Sequence, residues 1–341
     1  MTNIYFSTQD LVQTRFAFSA LWETVASYRI LHKPALAPLH LPWIRETQAA
    51  LEDLDMRLLD ALILHSKGAY PDFLTPPPTT PIPNLRSELE HLVQVDPRIV
   101  QQDIDNVISY SDSQDPVIDE WLEQLAPFQK HPQRALEELA ETLWTYWQRT
   151  LEPHWPRIQA LLEADIMYRA KAFALYGPSK VFRDLHVNVG YSDQRMELKE
   201  YCHLGDVDLT GRGMLLIPSV FMSRSVMLDP PWQETMQYGA RGTFGLWCPE
   251  PVPTSDALNK LLGETRAKLL KHLVTPATTA HMAALFRVSP SAISQHLSWL
   301  RDAGLVTTQR NGKHVYYKIS SAAEQILTAY NELDGVLARA V

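Results

Sequence analysis

The chain reads as an α+β protein: a mostly helical amino-terminal region with a small antiparallel β portion, followed by a short set of helices closed by a two-stranded hairpin. Three observations predict this. Apolar residues recur at helical spacing up to about Gly177. From Val181 to Trp247 the periodicity becomes two, with Gly and Pro between short runs. From Leu258 to Ser320, caps, a turn and a hairpin signal follow one another in a fixed order. With 341 residues, 45% of them apolar, two domains with real cores are expected. They are placed at residues 1–250 (helical over 1–177, β-rich over 181–247) and 256–341, joined through Cys248-Pro-Glu-Pro-Val-Pro.

In order along the chain, Ser7 and Asp10 have the spacing of a capping box. Helices follow at Ala20–Leu31, Pro42–Leu54, Met56–His65, Asn84–Val95, Pro97–Ser109, Pro116–Leu125, Pro132–Thr150 and Trp155–Tyr176. Prolines mark nearly every start, where a missing N–H costs nothing. Thr75–Pro83 (TPPPTTPIP) is a stiff extended connector. Strands are expected at His186–Val189, Met196–Tyr201, Met214–Val220, Ser225–Leu228 and Thr235–Tyr238. No internal repeat is visible.

The last part is the most legible. A helix over Glu264–Val274 leads to a short one, Thr279–Phe286, a turn through Arg287-Val288-Ser289, and a longer helix, Pro290–Asp302. Ser289 suits the N-cap of that last helix, Pro290 its first turn, and Gly304 the left-handed position beyond its end. Ile293, Leu297 and Leu300 form a core-facing stripe, leaving Ser291, Ser294, Gln295 and Ser298 on the free face. A short, uncharged, hydrogen-bonding face can enter a major groove and touch base edges. Gln295 is the residue best suited to pair with adenine, supported by Ser289, Ser291, Ser294 and His296; His296 has the alternatives of a phosphate contact or a place beneath the helix. Leu305–Gln309 and His314–Ile319 flank Asn311-Gly312, the signal of a type I′ hairpin, with Arg310, Lys313 and His314 at its tip for phosphates. This is the order of a winged helix-turn-helix, and it implies DNA binding. Charge agrees: residues 258–320 hold nine basic and two acidic residues, a net +7, on a chain of −8, leaving −15 on the remainder.

The segments LLGETRAKLLKHL, VSPSAISQHLSWLRDAGLV and QRNGKHVYYKIS resemble the ArsR-type winged-helix transcriptional regulators over their DNA-binding core. The resemblance covers about the last fifth of the chain and its C-terminal helix, while residues 1–250 look like the larger front region of a long subset. It implies a homodimer in which the C-terminal and first helices of the domain pair across the two-fold axis, on an imperfect palindromic operator in double-stranded DNA. The stripe Ile326, Tyr330, Leu333 and Leu337 fits that pairing. The family's metal sensors carry thiols before the recognition helix, where this chain has Thr278-Thr279-Ala280-His281-Met282-Ala283, and Asp and His on the last helix, where Ser321–Val341 has no His. No metal and no cofactor is therefore expected.

For residues 1–250 two readings stay open: a sensor for a small-molecule effector, or a dimerisation or protein-interaction scaffold. The sensor is favoured because repressors of this type need a release signal and the region exceeds what dimerisation requires. Eight of the nine tryptophans lie in it, and aromatic walls also build pockets for apolar molecules. Trp144, Trp147 and Trp155, with His154 and Arg157 as polar anchors, are the expected lining. An enzyme is not expected: no GxSxG, HExxH, P-loop or GxGxxG is present. No apolar run reaches the length of a membrane span and MTNIYFSTQD is no signal peptide, so a cytoplasmic protein is expected. Cys202 and Cys248 read as inert buried thiols.

Overall fold

The computed structural model describes residues 2–34, 37–64, 70–109, 118–199, 205–247, 254–274, 276–311 and 314–330. Its packing divides the chain into two units, Met1–Pro153 with Tyr168–Gly239, and His154–Met167 with Ala240–Val341. The units are not contiguous in sequence. The helix Trp155–Tyr176 was expected at those bounds, and its first half groups with the winged-helix end of the chain.

The first unit holds two four-stranded sheets. In one, β1 (Thr2–Tyr5), β3 (Val189–Ser192), β4 (Arg195–Leu198) and β5 (Val207–Asp208) run in the order β3-β4-β1-β5. In the other, β2 (Arg15–Phe16), β6 (Leu215–Ser219), β7 (Arg224–Met227) and β8 (Thr235–Gly239) run in the order β2-β6-β8-β7. The expected antiparallel pairing is present in β3–β4 and β7–β8, but β1–β5, β2–β6 and β6–β8 are parallel. Strands β1 and β2, of four and two residues, are too short to show a periodicity, and the long connections from them supply the crossovers parallel pairs need. The strand expected at His186–Val189 lies instead at Val189–Ser192. Asp193 and Gln194 both have positive φ, 50° and 59°, which makes a two-residue turn and fixes Ser192 opposite Arg195.

Several helices match residue for residue, among them Pro97–Ser109 and Pro132–Thr150. The helix expected to stop at Leu125 runs Ile118–Lys130, through Pro127. Trp121, Leu125 and Phe128 are buried along one stripe, and that burial outweighs the backbone bond that proline removes. The expected Pro42–Leu54 helix shortens to Leu41–Gln48 and a 3-10 turn, Ala49–Leu51. Thr75–Pro83 forms no regular element, yet it is not merely a spacer: the Trp22 indole donates to the Pro76 carbonyl at 3.1 Å.

Polar groups inside this unit hold the fold together. The Ser7–Asp10 capping box forms as expected, and Asp10 also accepts the Gly213 amide at 3.0 Å, tying the first helix to the start of β6. Glu23 is fully buried and accepts the Val220 amide at 3.1 Å; Glu88 accepts the Leu21 amide at 3.0 Å and the Ser19 hydroxyl. Burial pushes both carboxyls up to about 7, against the downward pull of these donors.

The second unit contains the helices Asp256–Leu262, Glu264–His272, Thr279–Phe286, Pro290–Asp302 and Ser321–Ala329. A sheet of β9 (Ala277–Thr278), β10 (Val306–Asn311) and β11 (His314–Ile319) runs in the order β10-β11-β9. One core joins them, including Leu258, Leu269, Leu270, Met282, Ile293, Leu297, Leu300, Val306 and Leu327. Ile326 and Tyr330 pack half-buried against that core; Leu333 and Leu337 lie outside the described residues, as do Cys202 and Cys248. No helix among the described residues is long and apolar enough to cross a membrane.

Candidate nucleic-acid interface

The helix Pro290–Asp302 has the expected bounds and punctuation. Ser289 is extended (φ −66°, ψ 147°) and its Oγ accepts the Ala292 amide at 3.2 Å. At the other end Gly304, with φ 71°, lets Leu305 N–H reach the Leu300 carbonyl at 2.9 Å and its own N–H reach that of Arg301 at 2.8 Å. That pair of bonds is a Schellman closure, and it needs the left-handed residue that glycine supplies most readily. Between these ends the helix has two sides. Ile293 and Leu297 are 0% exposed and Leu300 2%, while Ser291, Ser294 and Gln295 are exposed.

His296 is half-buried and edge-on to Trp299 at 5.6 Å, and its Nδ1 is buried without a hydrogen-bond partner. Burial first, then the Arg266 charge, lowers its imidazole pKa. Trp299 itself is 48% exposed, with the Arg266 guanidinium 5.2 Å from its ring centre. This stack ties the recognition helix to Glu264–His272, and sequence periodicity did not single it out because Trp299 lies off the apolar stripe. The preceding turn holds another exposed cation. Arg287 adopts φ 55°, ψ 41° at the end of Thr279–Phe286, where a non-glycine residue gives up roughly 1–2 kcal/mol.

In the wing, β10 and β11 pair from Val306↔Ile319 to Asn311↔His314. Arg310 is exposed on β10; His314 opens β11, and Lys313 lies outside the described residues. Gln309 and Tyr316 face each other across the strands. The opposite face of the hairpin carries Arg310 and Val315, both exposed.

The five residues expected to line an effector pocket fall into both units. Trp147 is buried in the first unit, and Trp144 lies there beneath the Arg86 guanidinium at 4.8 Å. His154, Trp155 and Arg157 belong to the second, where His154 meets Trp247 edge-on at 5.2 Å. Burial, then the charges of Arg157 and His272, lower the His281 imidazole to about 4. A cleft of about 770 Å³ lies elsewhere in the first unit, lined by residues that include Met56, Leu58, Glu120, Glu123, Gln124 and Glu141 and none of those five.

A cationic, three-helix module with one polar helix face and a hairpin is a winged helix-turn-helix. Residues 263–308 match the model of the family described as "Bacterial regulatory protein, arsR family". The transcriptional activator HlyU of Vibrio cholerae serotype O1 is 35% identical over 65 residues, 19% of this chain and 60% of that protein. A Halobacterium salinarum protein named as an arsenical resistance operon repressor, ArsR2, is 33% identical over 81 residues, 23% of this chain and 68% of that protein. A crystal structure described as "Possible transcriptional regulator for arsenical resistance" is 34% identical, covering 25% of this chain and 96% of that one, with a TM-score of 0.19. The chain belongs to the ArsR family of bacterial regulatory proteins. It spans about three fifths of the HlyU length, and all these matches lie within a quarter of its own.

Proposed function

We propose that the protein is a sequence-specific transcriptional regulator, acting as a repressor, that reads double-stranded DNA through Pro290–Asp302. The observation that carries this reading is the division of that helix: the stripe Ile293, Leu297 and Leu300 is buried to 2% or less while Ser291, Ser294 and Gln295 stand exposed. Ser291 shares a hydroxyl contact of 2.9 Å with the capping Ser289; for Ser294 and Gln295, base edges in a major groove are the natural partners. The net +7 of residues 258–320 supplies the sequence-independent part of the affinity. The protein acts as a homodimer on an imperfect palindrome, and the first unit carries a small-molecule effector. The size of the cleft, about 770 Å³, supports the effector role because it falls in the range of small-molecule sites.

Gln295→Ala should cost roughly 1–3 kcal/mol on the specific site and little on random DNA, measured by fluorescence anisotropy. Equal losses on both would remove Gln295 as a reader. In the same assay, Arg310→Ala and Lys313→Ala should weaken both kinds of DNA alike, each lowering the salt slope by about one unit. Sedimentation at micromolar concentration tests the dimer; a monomer with and without DNA would exclude it. Thermal-shift screening tests the effector, since a ligand of the folded state must raise the melting temperature.

A further inference from the structure

The wing carries a contact that reaches far back along the chain. β10 is an edge strand, paired on one side only by β11. Its free edge has no ladder partner among the described residues, so side-chain contacts must fix it. On the face away from Arg310, the half-buried Gln309 donates its Nε2 to Oε2 of Glu163 at 2.7 Å. Glu163 lies 146 residues earlier, on the first half of Trp155–Tyr176, within the stretch His154–Met167 that packs with the second unit. Its other oxygen accepts Gln159 Nε2 at 2.9 Å from the preceding turn, so two amides hold the carboxylate in place.

The neighbouring groups point the same way. Tyr316 stands opposite Gln309, and its phenol is raised by burial first, lowered by the Arg157 charge and raised by that of Glu163. The helix therefore bonds one wing strand and its charges are felt on the other, while Asp165, two residues on, accepts the Arg241 amide at 3.1 Å. Gln309 and Glu163 lie outside the apolar core of the winged helix, so their bond buries little apolar surface; what it does is fix a direction.

We propose that Glu163 is a positioning residue for DNA binding: by holding Gln309 it sets the edge strand of the wing so that Arg310, on the opposite face of that strand, meets the sugar-phosphate backbone. The proposal rests on the reading that the wing touches DNA. It makes part of the front half of the sequence a working component of the DNA-binding surface.

Hydrogen exchange and DNA titration of the full chain test it together. Glu163→Ala should speed amide exchange in Val306–Asn311 by about threefold to tenfold, the range that one ordinary hydrogen bond contributes net of solvent. Glu163→Gln should restore protection, because its amide oxygen accepts the same bond without the charge. Operator affinity should fall by a similar factor in Glu163→Ala and recover in Glu163→Gln. The loss should also be less than multiplicative with that of Arg310→Ala, since both act through one strand. Gln309→Met removes the donor and leaves the long helix intact, which covers the case of a Glu163 variant that does not fold. Unchanged exchange in Glu163→Ala, or equal tightening of DNA binding by both Glu163 variants, would overturn the proposal; the latter would mean the carboxylate acts only as a repelling charge. An Arg310→Ala variant that binds like wild type would instead remove the DNA role of the wing, and the exchange data would still report on the Gln309 bond alone.

Discussion

The two units use polar side chains in opposite ways. In the first, Asp10, Glu23 and Glu88 are buried and each accepts backbone amides from a distant segment. In the second, Ser291, Ser294 and Gln295 are exposed on one side of a helix whose other side is core. Inward polarity buys specificity of fold; outward polarity without a structural task is left for a partner. The distinction separates residues whose loss should unfold the protein from those whose loss should silence it.

The largest expected effect sits where the two kinds of position adjoin. Leu297 is fully buried two residues beyond the exposed Gln295. Leu297→Ala should destabilise the winged helix by about 2–5 kcal/mol through lost burial and the cavity left behind. Chemical denaturation monitored by hydrogen exchange of the amides in Pro290–Asp302 would measure it. A loss below about 1 kcal/mol would mean that the stripe is not the core of this unit.

Next come the buried carboxyls. The Glu23 and Glu88 carboxyls are pushed from 4.5 to about 7 in the folded state, so between those values the folded protein holds protons that the unfolded chain has released. Stability must therefore fall as pH rises through that window, by up to roughly 3 kcal/mol for each group, and the loss is complete above about 7. Glu88→Gln stays neutral throughout. Its stability relative to wild type should improve across the same interval, as read from urea midpoints. Parallel pH profiles would show that burial does not govern this carboxyl.

This contrast also explains what could be read from sequence alone. The recognition helix came out residue for residue because its signals are local: Ser289, Pro290 and Gly304 act within a turn of where they stand. Thr279–Phe286 came out equally well although Arg287, not glycine, occupies its left-handed terminus. The mixed pairing of the first unit was not legible, because β1 and β5 meet across some two hundred residues and neither is long enough to announce itself. Glu163 escaped for a related reason. On its own helix it is one more half-exposed acid, and only the fold reveals that it faces Gln309. Arg157 was singled out as an effector anchor, yet its charge is felt at His281 and Tyr316 of the winged helix.

The smallest effect is the sharpest test of outward polarity. Ser294 is exposed in the interior of Pro290–Asp302, and its side chain caps no end of that helix. Serine is a weaker helix former than alanine because its hydroxyl competes for the backbone and its rotamers are restricted. On structural grounds alone Ser294→Ala should therefore stabilise the protein, by about 0.5 kcal/mol. If the hydroxyl is kept for DNA, the same variant should bind its operator more weakly, with binding to random DNA little changed. Stability and specific affinity would then move in opposite directions, as expected at a position held for function rather than for folding. Denaturation and anisotropy on one protein preparation measure both. A variant that gains stability and keeps full operator affinity would return Ser294 to the class of indifferent surface residues, and would narrow the reading face to Ser291 and Gln295.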